Sequence, residues 1–330
     1  MKNRKIVIVT KDNASGLSRD TAILTAVLRQ AGFQVTIFPV SKPTLGHKLH
    51  RIGETAQGKF WRAWGRFSYD IGIFLEAVVP YWLDYSKINC LMPNQEWFID
   101  RWLPYLPHFD YVLCKTRYAQ GIFAGLGCQT QFVSFTSVDR LPTAHLDPTK
   151  TYDSFFHLVG NISLQKGTAQ VVDQWQRHPH WPPLHIRQPP QPYHQPAPNL
   201  HYLTDFLPDA QLQAYQNRHG LHLCPSEAEG FGHNLVEAMG CGALVLTTNG
   251  PPMNEIVTAD RGLLMDYHET KPQNLGTNYY VTGEGLERAI EAVLALDEGE
   301  RRRRGSAARA WYRDNDRFFR HTLVEFLRGL

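Results

Sequence analysis

Two carboxylates, Glu229 and Glu237, stand with seven residues between them in the stretch Pro225-Ser-Glu-Ala-Glu-Gly-Phe-Gly-His-Asn-Leu-Val-Glu237. The short apolar run Leu221–Cys224 precedes it, and Ala243–Leu246 follows, ending in Thr247-Thr248. This pattern reads as strand, glycine-bearing loop, helix and second buried strand. Gly230 and Gly232 let the backbone come close to a ligand with its amides pointing outward. The helix expected from about His233 adds unpaired N–H groups and the positive end of its dipole. Together these features make a place to hold a phosphate.

A second group lies in Leu158-Val-Gly-Asn-Ile-Ser-Leu-Gln-Lys-Gly167, a strand end followed by a lysine at a helix start. A lysine beside the positive end of a helix is unfavourable unless an anion shares the site. Lys166 therefore reads as a phosphate contact rather than a solvated cation.

The elements that must position these groups alternate. Ile6–Val9 is a strand, Thr10–Asp20 a loop, Thr21–Ala31 a helix and Gln34–Phe38 the next strand. This is how a Rossmann-like half begins, although G-x-G-x-x-G is missing and only Gly16, after Ser15, lies in the loop. A dinucleotide oxidoreductase is disfavoured on that ground. Strand-like runs follow at Ile71–Leu75, Ile88–Met92, Tyr111–Cys114 and Gln131–Phe135, with room for helices between them. Both periodicities break over 139–153, and a second unit opens at Ser154 and continues strand–helix–strand to about residue 265. Leu286–Leu330 reads as largely helical, with Phe319, Leu323, Phe326 and Leu327 at helical spacing.

At 330 residues, 43% hydrophobic and 20% charged, the chain has the size and composition of a two-domain soluble protein. No apolar run approaches the roughly 18–20 residues needed to span a bilayer. The basic start before Ile6 leads into a four-residue apolar core, a first strand rather than a signal peptide. Five cysteines without a C-x-x-C pair fit reduced packing residues and a cytoplasmic location. A net charge of +3 does not point to nucleic acid. Residues 179–198 hold eight prolines, with His178, His180, His185, His194 and His201 close by. Their spacing fits no standard zinc framework and reads as a surface loop.

The two site segments resemble the retaining GT-B glycosyltransferases of family four, the glycosyl transferases group 1. That family's signature is Pro-Ser-x-x-Glu-Gly-Phe-Gly, then a helix with a second glutamate eight positions after the first, matched here by Glu229-Gly-Phe-Gly232 and Glu237. The resemblance implies an α/β fold of two Rossmann-like domains facing across a cleft, with a C-terminal helix crossing back to the first. The acceptor domain would be 1–150, the nucleotide-sugar donor domain 151–315, and the returning helix 316–330. It also implies roles. Glu229 and Lys166 would be the catalytic residues: Glu229 meets hexose hydroxyls, and Lys166 neutralises the leaving diphosphate. Gly230, Phe231 and Gly232 would line the sugar and diphosphate, Glu237 would grip the ribose, and Gly16 and Ser15 would face the diphosphate and acceptor, although Gly16 also reads as a turn glycine.

The chain departs from the family in two places. Asn161 stands where an arginine is expected, bringing a hydrogen-bond donor without the charge. A donor aimed at developing charge contributes on the order of 3 kcal/mol. His233 and Asn234 replace apolar residues and would add hydroxyl or phosphate contacts. Downstream, Asn254 and Glu255 take the place of a loop at the sugar end, with helix capping as the alternative.

On the acceptor side, Asn94, Gln95 and Glu96 follow a strand end, where α/β sheets place ligands, or else start a capped helix. Lys115-Thr-Arg117 and Ser134–Ser137 end the next two strands. Residues 42–67 carry six cations against Glu54 with Phe60, Trp61 and Trp64 interleaved. Such a segment suits peripheral contact with the inner face of an anionic membrane, or an amphipathic core helix. The activity expected is transfer of a hexose, with retention, from a UDP- or GDP-sugar to a hydroxyl acceptor, without cofactor or metal. The alternatives are a catalytically weak nucleotide-sugar-binding subunit, or a GT-B phosphorylase or epimerase.

Overall fold

Ile6, Val7, Ile8 and Val9 are all fully buried, and a strand buried on both faces needs helices on both sides of its sheet. The computed structural model shows that arrangement twice; it describes residues 4–10, 16–40, 66–141, 150–159, 165–189 and 196–330. The chain divides into two compact units, Met1–Phe135 with Arg317–Leu330, and Thr136–Asp316. The division falls before the stretch 139–153 where the sequence periodicities break.

In the first unit, β1 (Lys5–Thr10), β2 (Gln34–Pro39), β3 (Tyr69–Leu75), β4 (Ser86–Met92), β5 (Tyr111–Cys114) and β6 (Thr130–Phe132) form one sheet in the order β2-β1-β3-β4-β5-β6. Every pairing in it is parallel. Helix α1 (Gly16–Gln30) buries Leu24, Val27 and Leu28 at spacings of three and one, a helical stripe facing the sheet. It begins at Gly16, earlier than the expected Thr21, so Gly16 opens a helix rather than lying in a loop. Helix α2 (Arg117–Gly125) is capped by Thr116, whose Oγ1 accepts the Ala119 N–H at 3.1 Å. The strand expected over Gln131–Phe135 stops at Phe132.

The second unit runs β7 (Thr151–Leu158), α3 (Thr168–Arg177), β8 (Leu184–Arg187), β9 (Leu200–Leu203), α4 (Asp209–Arg218), β10 (His219–Cys224), α5 (His233–Gly240), β11 (Leu244–Thr248), α6 (Met253–Ile256) and β12 (Gly262–Met265). Its sheet is also parallel, in the order β12-β11-β10-β7-β8-β9. The core is built on Phe155, Trp175 and Trp181, with Leu221, Leu223, Leu244, Leu246 and Ile290 around them. The Phe155 and Trp175 rings meet edge to face at 5.3 Å. An antiparallel hairpin, β13 (Tyr267–Gln273) and β14 (Gly276–Val281), leads into α7 (Gly283–Ala295). The sequence reading did not foresee this hairpin.

Helix α8 (Glu298–Gly329) ends the chain, and the division between units runs through it at Asp316–Arg317. Its last turns belong to the first unit. Phe319, Leu323 and Leu327 are fully buried at intervals of four, and the Phe319 ring lies 4.8 Å from that of Phe135. Arg328 donates to the Ala31 carbonyl at 3.2 Å, and Arg4 donates to that of Leu327 at 2.6 Å. No helix among the described residues is long and apolar enough to cross a membrane. Apart from Arg66 and Phe67, the basic aromatic segment 42–67 lies outside the described residues.

Phe319→Ala removes a fully buried ring from the first unit, a change that costs about 3–5 kcal/mol. Denaturant unfolding should show that loss in the transition of the first unit, while the second unit's transition stays in place.

Candidate functional site

In the second sheet the chain leaves β7 toward β8 and β9, then returns to β10 on the opposite side of β7. The loops after β7 and β10 therefore diverge at their carboxyl ends, the place where open α/β sheets bind ligands. These two loops carry Lys166 and Glu229. The Glu227 N–H donates to the Gln165 carbonyl at 2.9 Å, tying one loop to the other. Gly167 makes the approach possible. Its φ is +60°, and a Cβ there would lie 2.7 Å from the Pro225 carbonyl oxygen.

The result is a direct ion pair between Lys166 Nζ and Glu229 Oε1, with 21% and 13% of the side chains exposed. Ser226, fully buried, donates its hydroxyl to the same Glu229 oxygen at 2.7 Å. Gly230 and Phe231 are buried beside it, and Gly232, at φ +94°, ends the loop as the N-cap of α5. His233 and Asn234 form that helix's first, half-buried turn, whose amides have no partners within the helix.

Glu237, one turn further along α5, has a different environment. It is 1% exposed. Ser137 donates to its Oε1 at 3.1 Å and Gln216 to its Oε2 at 3.1 Å, while Arg140 Nε lies 3.7 Å from Oε2. Arg140 is fixed in turn by Gln216 at 2.8 Å and Asp209 at 2.8 Å. Ser137 Oγ also sits 2.9 Å from His233 Nδ1, so one hydroxyl links the start of α5 to the Glu237 carboxylate.

Sequence reasoning passed over the residue that joins the strands behind Lys166. His157 lies on β7, wholly buried. Its Nδ1 is 2.7 Å from the Leu223 carbonyl of β10, which can only accept, so Nδ1 carries the proton. Nε2 then accepts from Thr168, the first residue of α3, at 2.9 Å. Burial, with the Lys166 charge as a lesser cause, lowers this imidazole to about 4 despite the hydrogen bond to Leu223. The hairpin is a second unforeseen support. Tyr279 N–H donates to the Glu227 carbonyl at 2.8 Å, and Gln165 donates to Asn278 at 3.1 Å.

The remaining expected residues fall in three places. Asn254 and Glu255 lie on α6, after β11 at the same edge of the sheet. The cap position of α6 is Pro252, so neither side chain caps it, and Asn254 instead donates to Asn249 at 3.3 Å. Ser15 and Asn161 lie outside the described residues. In the first unit, Asn94 Oδ1 accepts from Lys115 at 2.9 Å and its amide donates to Glu76. Gln95 and Glu96 follow, both buried, in a 3-10 turn, and the Asn94 side chain makes no capping hydrogen bond to it. Lys115 itself is 2% exposed and pairs with Asp20 at 2.6 Å. Burial alone would lower its pKa, but Asp20 and Glu76 outweigh it, so the net shift is upward and the ammonium stays charged. Thr116 caps α2 and Arg117 lies over the Phe132 ring at 3.8 Å, so the Lys115–Arg117 segment serves the packing of its own unit. His178 stacks on Trp181 at 4.1 Å. Among the described residues, no group of three or more His, Cys, Asp or Glu is arranged to hold a metal ion.

Residues 196–311 match the family model described as glycosyl transferases group 1, a span inside the second unit that includes both glutamates. The fold is GT-B. Solved structures agree on that fold. A glycosyltransferase from Rickettsia africae matches with a TM-score of 0.74 at 12% identity, over 100% of this chain and 99% of that one. Sucrose-phosphate synthase from Thermosynechococcus elongatus matches with 0.70 at 14% identity, over 99% and 98%. HepE from Anabaena, solved in complex with UDP and glucose, matches with 0.69 at 15% identity, over 99% and 100%. No curated protein sequence matches the chain.

Two predictions follow from this geometry. Gly167→Ala should lower stability by about 1–2 kcal/mol from its left-handed backbone alone, and more from the contact with Pro225, as read by thermal unfolding of the second unit. The second concerns acid. Burial lowers His157 and His185 to about 4 and His222 to about 3, and it lowers His219 as well. The unfolded chain binds protons near pH 6.5 where the folded unit does not, so stability rises with pH across this window. The unfolding temperature should be level above pH 7 and fall by several degrees between pH 6.5 and 4; His222→Gln should flatten that slope.

Proposed function

We propose that the protein is a retaining glycosyltransferase that moves a hexose from a UDP- or GDP-sugar to a hydroxyl acceptor. The observation that carries this reading is the junction of Lys166 and Glu229 at the point where β7 and β10 part, beside the start of α5. A cation and helix amides gathered there suit a diphosphate. A carboxylate next to them suits the hydroxyls of the sugar attached to it. HepE, of the same fold, was solved with UDP and glucose; a trehalose-6-phosphate synthase of this fold was studied as a case of glycosyltransfer with retention.

In this reading the Lys166 ammonium stabilises charge developing on the departing diphosphate, and the α5 amides share that work. Glu229 accepts hydrogen bonds from hexose hydroxyls and fixes the reactive pose. Glu237 receives the ribose hydroxyls by exchanging the bond from Ser137, while Gln216 and Arg140 keep the carboxylate in place. The donor's own phosphate oxygen takes the acceptor proton, so the site needs no protein nucleophile. The nucleotide sugar is a co-substrate and no resident cofactor is required. Asn161 supplies a neutral donor where the related enzymes carry a charge, which leaves Lys166 with a larger share of the stabilisation.

Thermal unfolding with UDP-, GDP-, ADP- and CMP-sugars tests the reading. A bound donor at about 100 times its dissociation constant should stabilise by about 2.7 kcal/mol. One nucleotide class should give the shift, and Glu237→Ala should lose it. Lys166→Ala should keep part of the shift and slow release of nucleoside diphosphate by about a hundredfold or more, with retained anomeric configuration checked on the product by NMR. No shift with any nucleotide sugar would overturn the proposal; a shift without turnover on any hydroxyl acceptor would make the chain a binding subunit.

A further inference from the structure

We propose that Glu229 acts as an internal counter-anion that the donor diphosphate must displace from Lys166, so that the site favours intact nucleotide sugars over sugar-free nucleoside diphosphates. The inference rests on the donor reading above and adds to it a basis for discrimination. Lys166 is already neutralised by direct contact with Glu229, and Ser226 holds the same carboxylate oxygen at 2.7 Å. The two backbones cannot separate freely, because Glu227 N–H is bonded to the Gln165 carbonyl at 2.9 Å and Gly167 is packed on Pro225. Exchange of partners is therefore a side-chain event.

A diphosphate approaching Lys166 brings like charge against Glu229, whose carboxylate must turn away. That carboxylate is mostly buried, and a buried carboxylate that loses its cation is costly unless new donors reach it. The hydroxyls of an attached hexose are such donors. A nucleoside diphosphate lacks the hexose, and its ribose hydroxyls go to Glu237, so it breaks the pair and leaves the carboxylate beside its own phosphates. Glu229 thus taxes the product of the reaction and spares the substrate, and the site empties more readily after transfer.

Binding of inorganic pyrophosphate, UDP, GDP, UDP-glucose and GDP-mannose to wild type and Glu229→Gln, measured by calorimetry, tests this. The variant should bind pyrophosphate and the matching nucleoside diphosphate about three- to tenfold tighter, and the nucleotide sugar no tighter than wild type. Lys166→Met combined with Glu229→Gln should lose the gain, and thermal unfolding without ligand verifies that both variants fold. If wild type binds a nucleotide sugar but Glu229→Gln leaves diphosphate affinity unchanged or weaker, the inference fails and the donor reading stands. A gain that survives Lys166→Met also sinks it. If no nucleotide sugar binds to either form, the donor reading fails and the selectivity with it.

Discussion

The second unit depends on one close approach, that of the Gly167 backbone to the Pro225 carbonyl. The parallel sheet sends two loops out at the carboxyl ends of β7 and β10, but topology alone leaves them free to splay. A glycine in the left-handed region, a hydrogen bond from Glu227 to Gln165 and the absence of a Cβ bring them together. Lys166 and Glu229, far apart in sequence, are paired because those backbones meet. His157 extends the same constraint inward. Its neutral ring spans β10 and the first residue of α3, and it is the burial of that ring, more than the nearby Lys166 charge, that keeps it neutral.

The first unit solves a similar problem with charge. Lys115 is buried at the end of β5 and would be untenable alone, since an isolated buried ammonium loses its hydration without recompense. Asp20 on α1, with Glu76 and Asn94 from the loops after β3 and β4, supplies the partners. The network ties a helix and three strand ends together. Removing Asp20 would take away the nearest counter-charge and leave the buried ammonium with Glu76 at 3.4 Å and Asn94 at 2.9 Å.

Much of this was legible in the sequence, and the reasons differ by element. Buried parallel strands announce themselves as short aliphatic runs, so β1 and β11 fall where Ile, Val and Leu cluster. The loop–helix start at Gly232–His233 is legible because two glycines and a following apolar stripe permit little else. The hairpin 267–281 was hidden: β13 is almost wholly exposed and reads His-Glu-Thr-Lys-Pro, without the alternation that marks a half-buried strand. The early start of α1 was hidden as well, because Gly16 and Ser18 resemble loop residues. His157 could have been found as a histidine inside the apolar run Phe155–Val159, a polar group that must bond to something on both nitrogens.

The two glutamates of the loop–helix segment show what spacing cannot convey. Eight positions apart, they look equivalent on paper, yet one is on the loop and the other in the second turn of α5. Side chains on a helix lean toward its N-terminus, which carries the Glu237 carboxylate back toward Ser137 and the first turn. There it is sealed in and held by two neutral donors, with Arg140 at a longer distance. A carboxylate so held can change one hydrogen-bond donor for another without moving, which suits the recognition of a fixed group such as a ribose. Glu229 has a cation for a partner and is less completely sealed, with 13% of its side chain exposed. Any anion that competes for Lys166 must also move Glu229, so this carboxylate is coupled to ligand charge in a way that Glu237 is not. The division of labour comes from burial and partner charge, with residue type and spacing held constant.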